Sequence, residues 1–326
     1  MNTSTSQSRQ RILSLDQFRG FTIFGMILVN FLGEFPSAPE ALKHHTDYMT
    51  FADLIAPLFL FMVGMGFRLS LLRNQAQLGL VRTLAMAARR YALLTLIGII
   101  YYDPLHWTQW WDALVDIGFA GLLALPLMFG NAFVRVAGAV VYMAVYQGLF
   151  TGAGYGSWTL ANSFDGGPLG PLSWVFCLLL GTVAYDLIAT RNARKIVLGC
   201  LVWGVLLCGA GYVLHIEWTG LKEFWPYSQR AMSSPYPVFA TGLCFLAYVP
   251  FYLLSDRWRL QIPTFGVMGA NPLVLYILHT AYLDLHSTII PAESSLPAAL
   301  TACLFFYLGC YAVARYLYRN GIFVKI

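Results

Sequence analysis

Ten apolar runs, each near twenty residues long, follow one another along the chain, at approximately 14–33, 51–72, 84–102, 112–130, 132–150, 171–189, 194–214, 236–254, 264–284 and 297–318. A helix needs about 20 apolar residues to span the hydrocarbon core of a bilayer. Inside that core every backbone N–H and C=O must be satisfied within its own segment, which selects the α-helix for runs of this length. The sequence therefore predicts an all-α, polytopic membrane protein of about ten transmembrane helices. Composition agrees: 58% of the 326 residues are hydrophobic and 11% charged, with a mean hydropathy of +0.64. A soluble domain carries about 25% charged residues, so too few charges are present to cover a water-exposed surface. Runs four and five are divided only by the Phe129-Gly130-Asn131 turn.

Lysine and arginine set the orientation. With the N-terminus inside, the inner segments hold Arg9, Arg11, Arg19, Arg68, Arg73, Arg82, Arg89, Arg90, Arg135, Arg191, Arg194, Lys195, Arg257, Arg259, Arg315, Arg319 and Lys325, which is 17 of the 20 cations. Only Lys43, Lys222 and Arg230 face out. Such a bias predicts cytoplasmic N- and C-termini. The net charge of +5 comes from cations at helix ends, with no basic patch, so nucleic acid is not an expected partner.

The same orientation places all six histidines (His44, His45, His106, His215, His279, His286) in outer loops or the outer halves of helices. Of the 15 acids, only Asp16, Asp186 and Asp256 lie inside. Groups that handle protons are thus gathered near the outer face, where polar loops also hold polar residues as a matter of course. The outer loops, 34–50, 103–111, 151–170, 215–235 and 285–296, are the long ones. The six cysteines sit inside apolar runs with no C-x-x-C pair and read as small buried hydrophobes. Residues 1–10 form a polar tail, and no small-residue cleavage site follows the charged SLDQFRG opening. The first helix is therefore expected to stay in the mature protein, and 1–326 to form a single domain.

Several residues stand out against this apolar background. Asp16 and Arg19 share a helix face beside Gly20, forming either a notch for a ligand or a snorkelling interfacial pair. Asn30 lies about 16 Å further along the same helix; its amide can donate to a developing oxyanion or simply cap the helix. His44 and His45 precede Asp47 and Asp53. Imidazole titrates near neutrality, as a general base or acyl acceptor requires, and a nearby carboxylate can fix its tautomer. The spacing fits no standard zinc pattern, so no metal is expected. On the ninth run Tyr276 and His279 are three apart, ahead of Asp284; an intramembrane histidine serves either a site or an interhelical hydrogen bond.

The chain resembles the membrane-bound acyltransferases typified by lysosomal heparan-α-glucosaminide N-acetyltransferase and its bacterial relatives. The matching features are R-x-x-S-x-D-x-F-R-G (Arg11 to Gly20), M-x-x-V-N (Met26 to Asn30), K-H then T-x-A-D-L-x-x-P-x-F-x-F-x-x-G (Lys43 to Gly64), F-D then L-L-G (Phe164 to Gly181), and G-x-N-x-x-x-x-Y-x-x-H (Gly269 to His279). The resemblance implies an N- or O-acetyltransferase that takes acetyl-CoA from the cytosol and acetylates an amino sugar or related glycan on the far side. It places the catalytic histidine at His44, with His45 beside it as the rival, the essential asparagine at Asn30, and a further site histidine at His279. Asp53 is the carboxylate expected to accompany them. Asp16, Arg19, Arg68, Arg89 and Arg90 are the residues expected to meet the cofactor, acetyl-CoA serving as donor substrate.

A bacterial inner membrane is the expected location, because the chain shows no long luminal domain ahead of its first helix. The expected partners are acetyl-CoA, the acceptor, the lipid bilayer and, without any motif to specify it, a second copy of the chain. The competing reading is a secondary transporter for a small sugar or metabolite. Against it, the sequence has no inverted repeat and no pair of Gly/Pro-broken helices at corresponding positions.

Overall fold

A computed structural model describes residues 12–45, 48–217 and 225–324. Arg9, Arg11, Asp47, Lys222, Lys325 and the polar tail lie outside the described residues, as do the side chains of Asp284 and His286. The helices are α1 (Leu13–Leu32), α2 (Ile55–Leu78), α3 (Leu80–Tyr102), α4 (Ala113–Ala124), α5 (Ala132–Gly152), the short α6 (Tyr155–Asn162), α7 (Gly170–Ala189), α8 (Ala193–His215), α9 (Pro235–Phe251), the short α10 (Pro263–Met268), α11 (Pro272–Ile289) and α12 (Leu296–Arg319). Every apolar run of the sequence is mostly helical, the ninth being broken at 269–271 between α10 and α11, and the described residues contain no strand. Among the described residues, seven segments are long and apolar enough to cross a membrane unaided. The fourth and ninth runs form shorter apolar helices, Ala113–Leu127 and Pro272–Leu283, and α1 carries Asp16 and Arg19 in its opening turns. The chain is an all-α polytopic membrane protein.

Local signals end the helices where the sequence breaks. Asn131 and Asn192 cap α5 and α8, each side-chain oxygen accepting from a backbone N–H three residues on, at 3.0 and 3.1 Å. Pro250 lies inside α9, which loosens into a π-turn over Tyr252–Arg257. That turn is fastened to the start of α1, where the Leu13 N–H donates to Asp256 at 3.0 Å and Ser14 Oγ lies 2.6 Å from the Tyr248 hydroxyl.

α7 runs through the middle of the bundle, buried without interruption from Ser173 to Ala184. It lies against α2 at a reciprocal pair of glycines. A β-carbon on Gly64 would meet the Leu178 carbonyl oxygen at 1.9 Å, and one on Gly181 the Phe61 carbonyl oxygen at 2.1 Å. Small residues of this kind let helix backbones approach where lipid removes the hydrophobic drive between helices. Gly20 on α1 is filled in the same way by the Phe265 carbonyl of α10, so the notch beside Asp16 and Arg19 receives a helix, not a ligand. The outer surfaces are apolar. On α8, Val202, Val205 and Leu206 are more than half exposed, and on α12 so are Leu304 and Phe305. Such faces suit acyl chains and would be a liability in water.

A partly buried ion network ties one end of the bundle. Arg68 of α2 holds Asp186 of α7 at 3.2 Å and the Met128 carbonyl, while the fully buried Arg135 of α5 takes the other oxygen of Asp186. Five of the cysteines are buried and Cys208 is half-buried, all of them free thiols.

Candidate active site

Two cavities of about 430 Å³ each lie end to end. One holds His44 and the other holds Arg19, and Phe59, Ile117 and Tyr276 line both.

The His44 cavity is built where the chain leaves α1 and enters α2. Lys43 folds this loop back on itself, donating to the Pro36 carbonyl at 3.0 Å and pairing with Glu40 at 2.7 Å. The Thr50 hydroxyl then donates to the Lys43 carbonyl at 2.7 Å. A short turn over Ala52–Leu54 follows and carries Asp53, which has no exposed surface. Oδ1 of Asp53 sits 2.6 Å from His44 Nδ1, Oδ2 accepts from the Thr50 N–H at 2.8 Å, and the backbone carbonyl accepts from the Tyr236 hydroxyl at 2.6 Å. A carboxylate held on every side fixes the imidazole with its hydrogen on Nδ1, leaving Nε2 for the cavity. Partial burial pulls the His44 pKa down. The hydrogen bond and charge of Asp53, with the charges of Asp165 and Asp112, outweigh it, and the net shift is upward.

His45 takes a different course. Its ring stacks on Tyr48 with centroids 4.2 Å apart, and Nε2 lies 3.2 Å from Glu40 and 3.0 Å from the Tyr48 hydroxyl. Both histidines reach the cavity, but only His44 has the buried carboxylate behind it.

Opposite the loop, α1 and α11 bring Asn30 and His279 together, Asn30 Nδ2 lying 2.9 Å from His279 Nε2. On the α4 side Asp112 caps its helix through the Ala113 N–H at 2.5 Å, and the Tyr276 hydroxyl lies 3.5 Å from its Oδ1 and 2.6 Å from the Tyr102 hydroxyl. The last wall is the 163–170 loop. Asp165, Gly166 and Gly167 have φ of 52°, 81° and 60°, three left-handed residues in succession. Two glycines make that turn affordable; Asp165 adopts it without being one, and such strain concentrates at functional sites. Gln229 donates to Asp165 at 2.9 Å, and the Arg230 guanidinium covers the Phe164 ring at 5.2 Å. Burial, reinforced by the neighbouring charge of Asp112, pushes the Asp165 carboxyl up to about 7.

The Arg19 cavity opens toward the other end. Arg19, Thr22, Ser70 and Arg90 supply its polar wall. Arg19 pairs with Asp16 at 3.5 Å and donates to the Gly269 carbonyl at 3.3 Å. Arg89 is exposed and lines neither cavity, and Arg68 is committed to Asp186. Of the five residues expected around a cofactor, Arg19 and Arg90 face one space and Asp16 stands behind Arg19. Asp112, Asp165 and Gln229, which the motifs did not single out for this site, all reach the His44 cavity.

Residues 11–207 match the family model described as heparan-alpha-glucosaminide N-acetyltransferase, catalytic. The chain belongs to this family. No individual curated protein matches it. In this heparan-alpha-glucosaminide N-acetyltransferase family member, the matched residues contain Asn30, His44, Asp53, Asp112 and Asp165 together with Arg19 and Arg90 of the second cavity. His279, Tyr276 and Gln229 reach the same space from the part of the chain beyond the match. Family membership makes the chain a membrane acetyltransferase.

Proposed function

We propose that the chain moves an acetyl group from acetyl-CoA, held in the Arg19 cavity, to an amino group held in the His44 cavity. The observation that carries this reading is the shared wall of Phe59, Ile117 and Tyr276, which separates a space lined by arginines from one lined by an imidazole and carboxylates. Arginine suits the phosphates of CoA. The positive-inside count supports a cytoplasmic setting for that cavity, where acetyl-CoA is made available, and an acceptor on the outer side.

In the reaction an acceptor bound as an ammonium first releases one proton to solvent, and Nε2 of His44 then takes a second proton from the neutral amine as its nitrogen attacks the thioester carbonyl. Asp53 holds the resulting imidazolium. An Asn30 N–H supports the oxyanion until the C–S bond breaks, and the imidazolium proton returns to the leaving thiolate. A ping-pong route would use the same nitrogen as nucleophile, passing through an acetyl-imidazole. Among the described residues, Asp53, Asp112 and Asp165 face Arg230 as the one full-time cation of this cavity, which favours an acceptor arriving as an ammonium over a neutral hydroxyl. An amino sugar on a cell-envelope glycan satisfies that chemistry, and a bacterial inner membrane would present it.

The test is release of free CoA from acetyl-CoA by purified protein supplied with glucosamine. Acceptor-dependent release supports the enzyme. Solute uptake by proteoliposomes without any CoA release would instead support the transporter.

A further inference from the structure

His279 lies beyond the residues matched by the family model, and its chemistry is fixed by two neighbours. Its Nδ1 sits 2.5 Å from the carbonyl oxygen of Tyr276. A carbonyl only accepts, so the ring hydrogen must be on Nδ1. In the neutral ring Nε2 is then an acceptor, and the group facing it at 2.9 Å is the amide nitrogen of Asn30. The side chain is 1% exposed, and the other polar groups beside its ring are the Leu275 carbonyl and the Thr280 hydroxyl, the latter at 3.4 Å. With no carboxylate beside it among the described residues, this buried imidazole is held neutral, because charging it there carries an uncompensated desolvation cost.

These constraints act on Asn30. An asparagine amide offers two N–H donors at one end and a carbonyl oxygen at the other. Rotating it by half a turn would set that oxygen against the Nε2 lone pair. One N–H is consumed by His279, the second remains for the cavity that both side chains line, and the oxygen is turned away from Nε2. We infer that His279 is a positioning residue: a backbone-locked acceptor that holds the Asn30 amide with its free N–H ready for the oxyanion. It neither takes nor gives a proton in the reaction. This role rests on the acyl-transfer reading, and it accounts for a buried histidine that the His44–Asp53 pair does not require.

The test is a cycle of variants assayed for CoA release, with thermal unfolding in detergent read alongside. His279→Phe keeps a ring of similar shape without an acceptor. Its kcat is expected to fall on the order of 10²-fold, with KM for acetyl-CoA and acceptor unchanged. His279→Gln, whose Oε1 accepts where Nε2 did, is expected to recover most of that loss. Asn30→Ala is expected to cost about 10²–10³, and adding His279→Phe to it should cost nothing more. Losses that multiply in the double variant, or a His279→Gln as impaired as His279→Phe, overturn the role. Should His279→Phe fail to fold, His279→Gln carries the test, and a loss above tenfold in it is the contrary result. A wild-type protein that releases no CoA overturns acyl transfer and this role with it, whereas turnover with multiplicative losses overturns the role alone.

Discussion

Nδ1 of His44 lies 2.6 Å from Oδ1 of Asp53, nine residues later in the chain and without exposed surface. The pair sets a pH dependence. His44 must be neutral at Nε2 to act, and its pKa is raised above the ordinary 6.5. The acid limb of kcat/KM is therefore expected to turn over above pH 6.5, and in Asp53→Asn to move to lower pH while the plateau falls. The sign for stability is opposite. A raised histidine pKa contributes stability that is complete below the unfolded value of about 6.5 and is lost as pH rises through the folded one. A rate profile and a thermal unfolding series across pH 5–9 check both limbs.

Asp165 behaves as the reverse of an ordinary paired carboxylate. Its pKa is pushed up to about 7, so the folded protein holds a proton there that the unfolded chain has lost. Stability from this site is present at low pH and is lost as pH rises from about 4 toward 7. Asp165→Asn is expected to unfold at higher temperature than wild type at pH 8. It is also expected to raise KM for an amine acceptor about tenfold, the worth of one charge-assisted contact, while leaving KM for acetyl-CoA alone. Unchanged acceptor KM would remove Asp165 from the binding surface.

The arginines divide by function. Arg19→Ala and Arg90→Ala are each expected to raise KM for acetyl-CoA about tenfold with kcat little changed, as lost phosphate contacts would. Asp186→Ala strands Arg68 and the fully buried Arg135. It is expected to cost about 3–5 kcal/mol of stability, seen as a lower unfolding temperature. A selective rise in KM in Asp186→Ala, without loss of stability, would return Arg68 to the donor site.

The contact between α2 and α7 tolerates no side chain. Gly64→Val and Gly181→Val each place carbon where a carbonyl oxygen stands, 1.9 and 2.1 Å from the first added atom. Each is expected to destabilise by about 3 kcal/mol or more. Wild-type unfolding temperatures for either would contradict the packing.

The architecture was legible because membrane helices announce themselves locally: each of the ten runs is apolar over its own length and each is mostly helical, the ninth being broken at 269–271 into α10 and α11. The site was legible only in part. His44 and His45 are neighbours, and nothing in spacing says which ring Asp53 meets; that depends on how Lys43 and Thr50 fold the loop. Arg89 and Arg90 point about 100° apart on their helix, so one faces the cavity and the other does not. Asp112, at the start of α4, and Asp165, from the 163–170 loop, join His44 in lining one cavity through tertiary packing that no periodicity encodes. Arg68 resembled a phosphate ligand because a cation near the end of an apolar run carries no mark of the acid it pairs with, here Asp186, 118 positions away.

The most direct measurement of the central claim is CoA release from acetyl-CoA with glucosamine as acceptor, comparing wild type, His44→Ala and His45→Ala. The account predicts acceptor-dependent release in wild type, loss of about 10²-fold or more in His44→Ala, and near-wild-type turnover in His45→Ala. Loss confined to His45→Ala would contradict the assignment of the base, and no release from folded wild-type protein that also fails to bind acetyl-CoA would contradict acyl transfer itself.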